Sequence, residues 1–138
     1  MKLLRFFIAA AALVLVGASL CLADPIGQDD KSVQSVSGPM LDNILDGMKS
    51  NDYAKYIKDC DDTLKETMTE DVFTKATGQL KANLGDYVSK QYLGFLTKGQ
   101  MTLVLWKAAY SQAGEDVLIK IVISKRADKY LVTGLWFE

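Results

Sequence analysis

Histidine does not occur anywhere in the 138 residues. That absence excludes Ser-His-Asp and Cys-His catalysis and most zinc sites, and leaves carboxylates, Lys and Tyr to move protons. Cysteine is scarce as well, with only Cys21 and Cys60. A catalytic thiol would have no activating imidazole, and no internal disulfide can form once Cys21 is removed with the leader described below. Cys60 reads as a buried small hydrophobe, with intermolecular pairing as the other option. A long basic run is also missing, and interspersed charges of both signs argue against a nucleic-acid surface. Nothing in the pattern calls for a cofactor or a resident metal.

What is present begins with a leader. Lys2 and Arg5 precede an almost wholly apolar run, Phe6 to Leu20, and Ala23 supplies a small residue at a cleavage site. The run is short for a membrane span, so residues 1–23 are expected to be a cleaved signal peptide on an exported protein, periplasmic or extracellular. No further membrane contact is expected. Leu20 stands where a lipoprotein signal carries Gly or Ala, which argues against a lipid on Cys21. Without Lys2 and Arg5, 14 basic residues face 17 acidic ones, a net charge of −3. The polar stretch Asp24 to Gly38 has no period and is expected to be a flexible tether, with Asp29 and Asp30 as a solvated pair. Residues 39–138 then form a single domain.

Within that domain, Pro39 suits a first helical turn, and Met40, Leu41, Ile44, Leu45 and Met48 recur on one face. A short second helix follows from about Asp52, with Tyr53, Tyr56 and Ile57 inward. A third opens at the capping residue Thr69 and carries Val72, Phe73, Ala76, Leu80 and Leu84 as its stripe, with Gly85 as its stop. Gly78 in its middle suggests either close packing or a tolerated weakness. Tyr87 to Leu96 reads as a long first strand with a bulge or bend at Gly94. Three further strands lie in Met101–Tyr110, the run around Val117, Ile119, Ile121 and Ile123, and Tyr130–Phe137. Loops this short force antiparallel neighbours. The expected fold class is α+β, with three N-terminal helices packed on one face of a curved four-stranded antiparallel sheet.

Asn51-Asp-Tyr53, Leu84-Gly-Asp-Tyr-Val-Ser89 and the closing Thr133-Gly-Leu-Trp-Phe137 together resemble the family called Domain of Unknown Function 3887, over about Met40 to Phe137. That resemblance implies a small secreted bacterial protein with an outline similar to the nuclear-transport-factor-2-like cone, in which a curved sheet wraps helices and can leave a pocket. It brings no catalytic residues to carry over. Lys125 to Lys129 departs from the family's usual pattern, where a tighter Asp-Gly-type turn is expected.

Carboxylates are the remaining candidates for chemistry. Asp59 and Asp61 have the spacing that opens a calcium loop, but Thr63 and Leu64 replace an oxygen donor and the required Gly, so a solvated helix terminus is the better reading. A carboxylate base in a dry cone would need Asp46, Asp62 or Asp86 on an inward face. The second face of the sheet is more informative. Strand alternation groups Val104, Trp106, Ala108 and Tyr110, and separately Tyr130, Val132 and Trp136. If these join Leu118, Lys120 and Val122, the sheet is apolar on both sides, whereas a half-covered sheet normally alternates. Curvature and the first strand could bury that face. Alternatively a homodimer could form through it, or a small apolar ligand could sit on it with Lys120 at an aromatic ring or an anion. Trp106, Tyr110, Lys120, Tyr130 and Trp136 are therefore the candidate ligand or interface residues. The reading this favours is an exported noncatalytic binding or interaction module. The alternative is a carboxylate-based enzyme acting on a small apolar substrate, and a third option is an edge-binding protein that pairs through its first strand.

Overall fold

The structure is a computed structural model that describes residues 25–138; the signal-peptide and Cys21 expectations fall on residues outside that range. Four helices precede four strands: α1 (Asp30–Ser50), α2 (Tyr53–Tyr56), α3 (Asp62–Thr67), α4 (Glu70–Leu84), β1 (Tyr87–Lys98), β2 (Met101–Tyr110), β3 (Val117–Arg126) and β4 (Lys129–Phe137). The strands form one antiparallel meander in the order β1-β2-β3-β4, as the short loops require. Register shifts at Tyr87/Ser89, Tyr92/Gly94 and Val122/Ile123 bend the strands, and Gly94 takes φ 154° at the second.

The helices pack on the face that carries Val117, Ile119, Ile121 and Ile123, all 6% exposed or less. Direct pairing of Val104 with Ile121 and of Trp106 with Ile119 puts the alternate residues of β2 on the same inner side. The Thr69 hydroxyl accepts from the Val72 amide at the start of α4, and Gly85 at φ 80° closes that helix with its amide donating to the Lys81 carbonyl. No atom lies within 4 Å of a side chain added at Gly78, so this glycine is a tolerated weakness rather than a packing contact.

Two expectations need correction. The expected tether of residues 24–38 is not one over its described part, 25–38: α1 begins nine residues before Pro39, which lies inside it. Asp29 is its N-cap, accepting from the Ser32 amide at 2.8 Å, and Asp30 in the first turn accepts from the Tyr92 hydroxyl at 2.9 Å, so neither is a solvated bystander. Ahead of the helix, Ile26 is buried and its amide donates to Thr102 Oγ1 at 3.3 Å. The buried face of this first half is made of Val33, Ser37 and Gly38, small residues that let α1 approach the Trp106 ring without an apolar stripe to announce it. The other correction concerns the last hairpin, which closes through a two-residue turn, Ala127-Asp128, between paired Arg126 and Lys129. Ala127 takes the left-handed conformation (φ 51°) that an Asp-Gly-type turn would give to Gly or Asn.

Candidate functional site

The five candidate residues do not share one face. Trp106 and Tyr110 point inward and are 6% and 7% exposed. The Trp106 ring meets Tyr92 edge-on at 5.3 Å and carries Lys90 Nζ 5.2 Å from its centroid, and that ammonium also pairs with Asp42. Tyr110 packs edge-on against Tyr87 at 5.9 Å. Burial pushes the Tyr110 hydroxyl up to about 12. Tyr130 is also on the inner side, paired with Lys125 and donating to the Pro25 carbonyl at 3.5 Å. The expectation that Trp106, Tyr110 and Tyr130 belong to an open face is therefore overturned. The helices cover the side that carries the larger β-branched set, and Trp106 and Tyr110 are in register with that set rather than opposite it.

Lys120 and Trp136 remain outside, as direct cross-strand partners. Lys120 pairs with Glu138, and Trp136 is half exposed. The indole of Trp136 lies over Gly134: a side chain added there would meet its ring atoms at 2.5 and 2.7 Å. Around this pair the register aligns Leu96 with Leu103, Leu103 with Val122, and Leu105 with Lys120. The outer face thus carries a band of apolar side chains, with Leu96 56% and Met101 46% exposed, interspersed with Lys98, Lys107, Lys120 and Ser124. Sequence reasoning found an apolar second face but placed Trp106, Tyr110 and Tyr130 on it wrongly: alternation does not say which set of β2 faces the helices, and the register shift between Val122 and Ile123 leaves Tyr130 and Val132 inside while Trp136 is outside.

A second feature could not be seen in the sequence. Only Phe73 of α4 is buried, and clefts open on either side of this helix. One, of about 400 Å³, runs between Leu80 and Leu84 and the loop before β3. The other, of about 300 Å³, lies between α4 and the end of β4, where Met48, Tyr56, Met68, Phe73, Leu80 and Phe137 line it and no charged side chain does. Tyr53, Tyr56 and Phe73 form an aromatic cluster beside it, with Tyr56 and Phe73 at 4.8 Å and Tyr53 and Phe73 at 5.6 Å. The Tyr53 hydroxyl donates to the Met68 carbonyl at 2.8 Å. Among the described residues the buried side-chain atoms without a hydrogen-bond partner are Ser37 Oγ and Trp106 Nε1, and the Tyr56 hydroxyl is not one of them. Burial, helped by Cys60 and Tyr53, raises its pKa well above the ordinary phenol value, which keeps it neutral.

The carboxylates lie elsewhere. Asp46 pairs with Lys55 at 3.0 Å and Asp86 with Lys81 at 3.4 Å, both exposed, and Asp62 is exposed in the first turn of α3. Asp59 accepts from Asn43 Nδ2 at 2.7 Å, while Asp61 caps α3 through the Leu64 amide at 2.9 Å and lies 3.6 Å from Arg126. The backbone of this segment forms a lone parallel bridge to β4: the Val132 amide donates to Asp59 and the Asp61 amide donates to Val132. The acidic cluster is thus a backbone clip and a helix cap. Among the described residues no three metal-ligating side chains converge. Cys60 between them is buried, its thiol pushed up to about 11 by burial, with Lys65 opposing and Asp59 and Asp61 adding to the rise. Strand β1 lies at a sheet edge but is bulged twice and carries Lys90 and Lys98, features that blunt an edge against pairing.

No curated protein matches this sequence. Among solved structures, a SEC-C motif containing protein from Rhodopseudomonas palustris has a similar fold, with 13% identity, a TM-score of 0.50, and coverage of 82% of this chain and 97% of that one. A designed NTF2-like protein is similar at 13% identity and a TM-score of 0.50, over 80% of this chain and all of that one. The family described as Protein of unknown function (DUF3887) matches residues 42–128, well over half of the chain. The chain belongs to the DUF3887 family and has an NTF2-like α+β fold.

Proposed function

We propose that this domain is an exported noncatalytic interaction module that acts through the outer face of its sheet, pairing with a second copy of itself. The observation behind this reading is that an apolar band of Leu96, Leu103, Leu105, Val122 and Trp136 crosses the outer face of the sheet while the helices occupy the opposite side. An apolar area of that kind on a folded surface marks an interface. Four strands about 4.8 Å apart and about ten residues long, at ~3.3 Å per residue, give it roughly 600 Å², close to the ~800 Å² each partner contributes to a stable complex.

Charge supports a second copy as the partner. The basic groups at the centre of the face already have acidic partners in the same chain, Lys120 with Glu138 and Lys107 with Asp116 at 3.2 Å. These pairs lessen the repulsion between two such faces, and around a two-fold axis each ammonium can reach the other copy's carboxylate. Two sheets stacked face to face about 10 Å apart bury both faces in the manner of a β-sandwich. The noncatalytic half of the reading is supported by the lack of histidine and by the exposed, ion-paired or helix-terminal settings of Asp46, Asp62 and Asp86.

Sedimentation velocity over a concentration series tests the pairing. The protein should sediment as a dimer, and Leu103→Glu, which buries a carboxylate in the interface, should convert it to a folded monomer. A protein that stays monomeric at about 100 μM, or a Leu103→Glu variant that remains dimeric, removes the proposal.

A further inference from the structure

We infer that the edge of β4 from Gly134 onward is a strand-addition site for an extended peptide of another protein, whose alternate side chains are apolar and enter the cleft beside α4. The site lies along the edge of the sheet and does not depend on the pairing of outer faces proposed above.

The main chain carries the first part of the argument. Leu118 and Glu138 exchange both of their backbone hydrogen bonds, so the next bonded pair in this antiparallel ladder is Lys120 with Trp136. The amides and carbonyls of Leu135 and Phe137 therefore point away from β3, and no backbone group among the described residues bonds them. Further back on the same edge Val132 is already paired, its amide donating to the Asp59 carbonyl and its carbonyl accepting from the Asp61 amide. The chain thus adds one extended segment to this edge itself, and that segment departs where α3 begins at Asp62. Nothing blunts the stretch beyond it. Gly134, Leu135, Trp136 and Phe137 include no Pro and no charge, and the register shift of this pair lies before them, whereas the β1 edge is bulged twice and carries Lys90 and Lys98.

The cleft sets what the added strand carries. Three consecutive residues of β4, Leu135, Trp136 and Phe137, line it, although alternation sends their side chains to opposite faces. A cavity beneath the sheet would meet only alternate residues, so this one opens along the strand's edge. Its wall has no charged side chain, and an ionised residue placed there would lose its water with no counter-ion. The inward residues of the added strand are therefore apolar, while those between them lie on the outer side next to Trp136 and are free to be polar. A second copy does not supply the inward residues through its own β4, because its Leu135 and Phe137 are packed against its own core.

The edge amides provide the readout. The probe is an end-capped peptide, Lys-Thr-Leu-Thr-Val-Thr-Lys, titrated into isotope-labelled protein and followed by amide NMR. At saturation the Leu135 and Phe137 amide protons should exchange with solvent at least about tenfold more slowly, while the Val132 amide, already bonded, and the β1 amides stay unchanged. The same peptide N-methylated at its three central amides keeps every side chain but loses those donors, and should bind at least about tenfold more weakly. A peptide with Glu in place of its Leu and Val should not bind. Phe137→Pro removes an edge donor that the β3 pairing does not use, and should weaken binding about tenfold with circular dichroism unchanged. Ala76→Phe, at an exposed position on the cleft wall, should weaken it without altering the edge main chain. The inference is overturned by the absence of saturable change up to about 1 mM peptide, by an N-methylated or Glu peptide that binds as tightly, or by affinity indifferent to both variants. It is equally overturned by protection that appears along β1 instead, or by Leu135 and Phe137 amides already slow to exchange in the free protein, the sign that a second copy covers the edge.

Discussion

The two faces of the sheet both carry large apolar side chains and have opposite fates. On the inner side Val104, Ile119, Ile121 and Val132 are fully buried under α1 and its neighbours. On the outer side Leu96, Leu103, Leu105, Val122 and Trp136 are only half buried or exposed, interspersed with Lys98, Lys107 and Lys120. Hydrophobicity alone therefore does not distinguish a core face from an interface in this molecule. The difference lies in side-chain shape and in the surface opposite. The inner face is β-branched in β3 and meets helix positions occupied by small residues such as Ser37 and Gly38, which allow close approach. The outer face has Leu and Trp side chains standing off a surface that nothing in the same domain complements.

The largest effect expected from this contrast is on the inner face. Ile121→Ala should lower unfolding free energy by about 2–5 kcal/mol in denaturant titrations, since the surrounding core cannot collapse fully around the lost volume. A loss below about 1 kcal/mol would mean that the inner face is as loose as the outer one.

Alkaline pH should also act through the inner face. Cys60 and Tyr110 are held protonated in the fold, to about 11 and about 12, and Tyr56 is raised in the same direction. Their folded values lie above the unfolded ones, so their contribution to stability is complete below pH 9 and is lost progressively as the pH rises through 9 to 12. Thermal melts should therefore be flat near neutrality and fall steeply above about pH 9. Tyr110→Phe should lessen the fall, whereas Trp136→Phe should leave it unchanged.

Next in size is the change expected on the outer face of the isolated domain. Val122→Ala, one position from Ile121, should cost no more than about 1 kcal/mol at protein concentrations too low for pairing. A loss as large as that of Ile121→Ala would show that the outer face is also covered. The smallest expected effect is a gain: Gly78→Ala, with open space where the methyl would sit, should stabilise α4 by about 0.5–1 kcal/mol.

Much of this fold could be read from particular residues. Thr69 and Gly85 bound α4 because a cap and a left-handed stop are local chemistry, legible without a partner. The meander follows from loop length, and the bulge at Gly94 from a glycine inside a strand pattern. The first half of α1 was not legible. Its buried positions are Val33, Ser37 and Gly38 in a polar stretch, and small residues are selected by how closely the sheet approaches, which no local pattern encodes. Pro39 was misleading for a related reason: it suits a first turn, yet tertiary packing carries the helix through it despite the missing amide donor. Of the candidate site residues, Lys120 and Trp136 were assigned to the open face correctly, and Trp106, Tyr110 and Tyr130 were not.

The sequence by itself determined the order of elements, the antiparallel pairing, and the existence of two apolar sets of strand residues, because capping, loop length and alternation are short-range. Only the tertiary structure decided which set the helices would cover, that α1 would reach back to Asp30, and that α4 would sit high enough to leave an apolar cleft beside Tyr56. Those outcomes depend on how surfaces distant in sequence fit in shape and volume, and that fit exists only once both surfaces are in place.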